Sequence, residues 1–120
     1  RYRMHFEGRE LKPYSEPISA EDLREGEIYF SITFADDRML VPSLEPLVFI
    51  GRDLETGDSH EAYFQDVESY RRGMRFSGGV ESGPGKITSG SDNQLGHMFS
   101  YEAALEVLMG CSLRRRASGD

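Results

Sequence analysis

The residues able to do chemistry in this chain are few and scattered. His5, His60 and His97 stand far apart, with no i, i+4 pair and no cysteine at metal-ligand spacing. They read as a strand-face, a loop and a helix residue, and no metal is expected. Cys111 falls near the end of a helical pattern, where the dipole raises a thiol pKa; a reactive thiolate needs a helix start or an adjacent base. The run Gly79-Val80-Glu81-Ser82-Gly83-Pro84-Gly85-Lys86-Ile87-Thr88 has the composition of a phosphate-binding loop but not its spacing. Val80 stands five residues before Gly85, where that motif needs glycine, and Ile87 follows Lys86, where it needs a hydroxyl for magnesium. No G-x-S-x-G elbow is present. Asp36-Asp37 and Glu21-Asp22 are turn and cap residues, and in a strand neighbouring carboxylates point to opposite faces. No catalytic residue and no cofactor are expected.

The most distinctive composition is Tyr63-Phe64-Gln65-Asp66 followed by Tyr70-Arg71-Arg72-Gly73. Tyrosine with arginine is typical of interaction hot spots. Tyr29, Tyr63 and Tyr70, with Arg71, Arg72 and Arg52 nearby, are expected to line an exposed sheet surface. The alternative is a pocket for a small ligand or substrate, at a barrel mouth or under the C-terminal helix. His60 and Asp66 are its candidate residues, with Tyr63 and Arg71 close by and the Gly-rich loop Ser77 to Ser91 as a lid.

The elements that must position these residues follow from periodicity. Tyr2, Met4 and Phe6 alternate weakly as a short strand. Ser19 to Gly26 suggests a helix of one or two turns, capped by Ser19 and ended by Gly26. Glu27 to Phe34 alternates strictly, with Ile28, Phe30, Ile32 and Phe34 on one face, and is the clearest strand. After the polar turn Asp36-Asp37-Arg38, residues 39–41 extend to Pro42, and Leu44 and Pro46 belong to an irregular link. Leu47-Val48-Phe49-Ile50 reads as a strand buried on both faces, and Glu61 to Gln65 as a further strand with Ala62 and Phe64 on one face and Tyr63 on the other. Asp66 caps a short turn ended by Gly73, and Met74 to Phe76 and Lys86 to Thr88 are brief further strands. A helical pattern runs from Asp92, with a break near Ser100; Tyr101, Leu105, Leu108 and Met109 then form an apolar stripe. The expected core is Ile28, Phe30, Ile32, Phe34, Val48, Ile50, Phe64, Leu105 and Leu108.

Strands first and a helix last indicate α+β with an antiparallel sheet. The run Leu23-x-x-Gly-x-x-Tyr29, entering the alternating strand, resembles small SH3-like barrels, in which a short turn leads into the first long strand. The resemblance covers residues 20–76 and transfers no ligand motif; the short strands and short links themselves suggest a partly open barrel or curled sheet of about five strands, with the C-terminal helix packed on it. One domain over 1–113 and a basic, frayed tail over 114–120 are expected. At 120 residues the chain can bury a core without staples.

Charge narrows the function classes. Twenty-one acidic residues against 14 basic give a net charge of −7. That disfavours nucleic acid and anionic lipid, and Arg114-Arg115-Arg116 is too small a cluster to reverse it. No apolar run is long enough for a membrane span, and no signal-peptide core is visible. One cysteine excludes an internal disulfide, and a cytoplasmic location is expected. The function these bounds favour is a non-enzymatic protein–protein interaction module, binding a protein partner or a second copy of itself as a homodimer; the chain as a whole resembles small bacterial proteins.

Overall fold

The alternation near residue 30 becomes β1 (Ile28–Phe34). In the computed structural model, which describes residues 3–4, 8–75 and 87–119, β1 belongs to a five-stranded antiparallel sheet. The other strands are β2 (Pro42–Arg52), β3 (Glu61–Asp66), β4 (Ile87–Ser91) and β5 (Met98–Phe99). Two α-helices, α1 (Val67–Arg71) and α2 (Tyr101–Ala117), and 3-10 turns at Ala20–Asp22 and Asp92–Gln94 complete the described residues. The strand order is β4-β3-β2-β1-β5 and the sheet is not closed. The fold is α+β, with the C-terminal helix packed on the sheet as expected.

Local chemistry explains where the elements depart from expectation. The helix expected over Ser19 to Gly26 contracts to one 3-10 turn, since a segment this short cannot repay helix nucleation. β2 absorbs the expected irregular link and begins at Pro42. Pro46 is tolerated because β3 pairs with β2 only from Leu47 onward, so at Pro46 the strand has a partner on one side alone. A bulge between Phe49 and Gly51 then shifts the register against β3, and Gly51 takes a φ of +144° that suits glycine. Asp66 caps α1 as expected, its Oδ2 accepting from Ser69 N at 3.0 Å, and Gly73 ends it at φ +89°. After the break at Ser100 the chain is helical as expected, but Leu95 to Phe99 form a turn and β5 instead of a first helix. The expected strand at Met74 does not form at Met74 and Arg75; Phe76, residues 77–86, Tyr2, His5 and Phe6 lie outside the described residues.

The sheet is covered on both faces. One face carries Tyr29, Leu47, Phe49, Ala62, Phe64 and Met98, packed under Leu95 and the segment holding Ile18, Ala20 and Leu23. The other carries Phe30, Ile32, Phe34 and Phe99 beneath Ala103, Ala104 and Val107 of α2. Of the expected core, Ile32, Val48 and Phe64 are buried. Ile28, Phe30, Phe34, Ile50 and Leu108 are only half-buried, and Leu105 is 46% exposed. Leu105 and Leu108 miss the core because α2 turns Ala103, Ala104 and Val107 toward the sheet. The aromatic side chains of β1 and β5 already fill that space, so close approach favours alanine.

The C-terminal end of α2 is held to the β1–β2 turn. Arg114 donates from Nε and Nη2 to Met39 O at 3.1 and 2.9 Å, and Arg115 donates to Leu40 O at 2.7 Å. Cys111 Sγ lies 3.6 Å from Leu40 O. Arg114 to Ala117 lie inside α2 as a docked helical end, where a frayed tail is expected. The turn is itself built by Asp36, whose carboxylate accepts from Leu40 N and Val41 N. Desolvation would raise its pKa, but the N–H groups of Val41 and Leu40 outweigh that and hold it below the ordinary value.

The register of β2 is testable with two leucines of one strand. Leu47 is buried and Leu44 is 43% exposed. Leu47→Ala is expected to cost about 2–5 kcal/mol in urea unfolding, and Leu44→Ala less than about 1 kcal/mol.

Candidate interaction site

The expected tyrosine surface is not assembled. Tyr29 is buried in the core; its Oη accepts from Arg24 N at 2.9 Å, and its ring meets Phe64 edge-on at 6.5 Å. Tyr63 is buried as well, on the opposite side of the sheet from its neighbour Phe64, and its hydroxyl donates to Asp58 Oδ2. The two rings therefore serve different faces of one sheet, and neither is offered to a partner. Both strands have their two faces covered, so alternation cannot decide which ring is outside. Tyr70 is half-buried, with the Arg75 guanidinium 4.1 Å from its ring centre. Arg71 and Arg72 are exposed and pair with Glu68 of their own helix at 3.9 and 3.2 Å. Of the five expected surface residues, only these last three have surface to offer.

The pocket pair is not brought together either. His60 and Asp66 flank and end β3, about 20 Å apart at the rise of a strand. His60 is 82% exposed at its side chain and lies 3.8 Å from Asp92. Asp66 is engaged in capping α1. The Asp92 carboxylate also accepts from Arg52 at 2.8 Å, and Arg52 reaches on to Ala20 O. That chain ties the 3-10 turn at Ala20 and the start of the Asp92 turn to β2, which is a structural task. Among the described residues no group of three His, Cys, Asp or Glu side chains is placed to hold a metal ion. No helix among them is long and apolar enough to cross a membrane. A cleft of about 320 Å³ does run beside α2, between Pro13-Tyr14 and the Phe34, Phe99, Val107 and Arg114 side chains, but it holds neither His60 nor Asp66.

The surface that the described residues do present lies on the outer side of α2. Tyr101, Leu105, Met109 and Leu113 follow at steps of four and are 57%, 46%, 43% and 53% exposed. Four large apolar side chains in a row on a helix are a patch, not scattered exposure. Acidic and basic groups flank it. Glu102 and Glu106 lie at the N-terminal end, both paired with Arg9, and Arg115 and Arg116 at the C-terminal end. Tyr101 is steadied by an edge-on contact with Phe30 at 4.8 Å. The stripe itself is visible in the sequence. Its direction is not, because Ala103, Ala104, Val107 and Cys111 form a second apolar stripe on the opposite side of the same helix.

The Tyr63–Asp58 pair sets an expected alkaline limit. The hydrogen bond to Asp58, then burial, holds the Tyr63 phenol well above its ordinary pKa. Below about pH 10 both folded and unfolded chains keep that proton; above it the unfolded chain releases its proton first, so stability falls as pH rises. Tyr63→Phe is expected to flatten that fall in urea unfolding between about pH 9 and 11. Comparison with protein-family models, curated proteins and solved structures finds no match to this chain.

Proposed function

We propose that this chain is a non-enzymatic protein–protein interaction module that docks an amphipathic helix on the outer face of α2. The observation that carries this reading is the exposed row Tyr101, Leu105, Met109 and Leu113. Its side chains suit a helix-in-groove contact, in which apolar anchors recur every three or four residues. The charged flanks, Glu102 and Glu106 at one end and Arg116 at the other, would make the rim that orients the partner. The interaction surface moves from the expected sheet tyrosines to the helix, while the class of function stays the same. A buried free thiol at Cys111 suits a reducing compartment, so we read the module as cytoplasmic. We also read the sheet as a partly open SH3-like barrel. β5 returns to pair with β1, the step a five-stranded meander needs to curl toward closure, and the gap falls between β4 and β5.

The test is Met109→Glu in the full chain. Chemical cross-linking in extract of the source cells is expected to capture an adduct with the unmodified chain and to lose it with the variant. Because Met109 is partly exposed, the variant is expected to change folding stability by no more than about 0.5–1 kcal/mol. An adduct of equal yield with Met109→Glu would overturn the reading.

A further inference from the structure

We propose that the helix docked on this face is α2 of a second copy of the chain, lying antiparallel across a two-fold axis at Met109. The inference rests on the interaction reading above and names its partner. Its ground is the symmetry of the outer face. Leu105 and Leu113 lie four residues either side of Met109, about 6 Å along the axis. Glu102 and Arg116 lie seven residues either side, about 10–11 Å along it. At 100° per residue, these five positions fall within an arc of about 80°, directed away from Ala104 and Cys111. These five positions are thus even in shape and odd in charge about one residue, while Tyr101 and Glu106, set against Ala117 and Ser112 by the same axis, stand outside the symmetry.

That pattern is what a two-fold contact requires. In an isologous interface, residue i of one copy meets j of the other and j meets i. With the axis at Met109, Leu105 of each copy meets Leu113 of the other, and Glu102 of each meets Arg116 of the other. Parallel alignment would set Glu102 against Glu102 and Arg116 against Arg116, and like charges would oppose it. Both groups reach solvent. The Arg116 side chain is exposed and forms no ion pair among the described residues. The Glu102 side chain is 77% exposed and holds Arg9 at 3.3 Å by one oxygen, Oε2. The apolar contacts would supply affinity, and the two Glu–Arg contacts direction and register.

Sedimentation equilibrium of the full chain tests this with Glu102→Arg, Arg116→Glu and the double variant. The unmodified chain is expected to rise from 13.6 kDa toward twice that mass as concentration increases. Each single reversal creates two like-charge contacts per dimer and is expected to weaken it roughly tenfold, and the double variant to restore it. Met109→Cys in a Cys111→Ser background is further expected to form a disulfide-linked dimer on oxidation, and Leu105→Cys in that background much less, being displaced about 12 Å along the axis from its own copy. A single species of 13.6 kDa up to about 1 mM, or a dimer that the double variant fails to restore, overturns the proposal. If Met109→Glu instead abolishes an adduct with a different protein, self-pairing falls and the interaction reading stands. If it abolishes nothing, both fall.

Discussion

Two backbone carbonyls, Met39 O and Leu40 O, hold the C-terminal end of α2 in the orientation that its packing on the sheet requires. Arg114 grips the first with two donors, and Arg115 and Cys111 converge on the second. The carbonyls can be offered because the turn before them is unusual. Met39 takes a left-handed φ of 58°, and the Asp36 carboxylate occupies the N–H groups of Leu40 and Val41. Cations at a helix C-terminus are already favoured by its dipole, and here they gain neutral acceptors as well. Without this clamp the helix could roll, because apolar side chains occur on both its faces.

The roll that is chosen has a packing logic. Phe30, Phe34, Ile32 and Phe99 project from the sheet, and the clamp brings Ala103, Ala104 and Val107 down on them. Large groups from the sheet meet small groups from the helix, which is how dense packing is reached without strain. The consequence is displaced to the outside. Leucine, methionine and tyrosine that would serve as core in another arrangement are left in water, at a cost that a partner surface would recover. The packing of the sheet and the surface proposed for association come from one choice of helix face.

Much of the framework was legible in the sequence because it rests on local chemistry. Strict alternation marks β1, the Asp66 cap and Gly73 bracket α1, and Ser100 marks the start of α2. What was illegible depends on partners remote in the chain. Pro46 looks like a break until the one-sided pairing of β2 is known. Tyr29 looks exposed until Ile18 to Leu23 is seen to pack over that face. The stripe from Tyr101 to Met109 looks like core until the aromatic crowding of the opposite sheet face is known. The candidate site shared this last difficulty. Tyrosine and arginine composition pointed to the sheet, whereas the exposed surface arises from a choice between two apolar faces that periodicity alone does not rank.

The measurement that bears most directly on this account is the rate at which Cys111, the one cysteine of the unmodified chain, reacts with a thiol reagent. Cys111 is 3% exposed on the sheet side of α2, next to the clamp. If the clamp sets the helix as described, labelling requires the helix to leave the sheet. The rate is then expected to lie orders of magnitude below that of a free thiol and to rise with denaturant. Were the Tyr101–Leu105–Leu108 side turned inward instead, Cys111 would stand about 80–100° from the buried direction, at the helix edge. Labelling at the rate of a free thiol in native buffer would contradict the account.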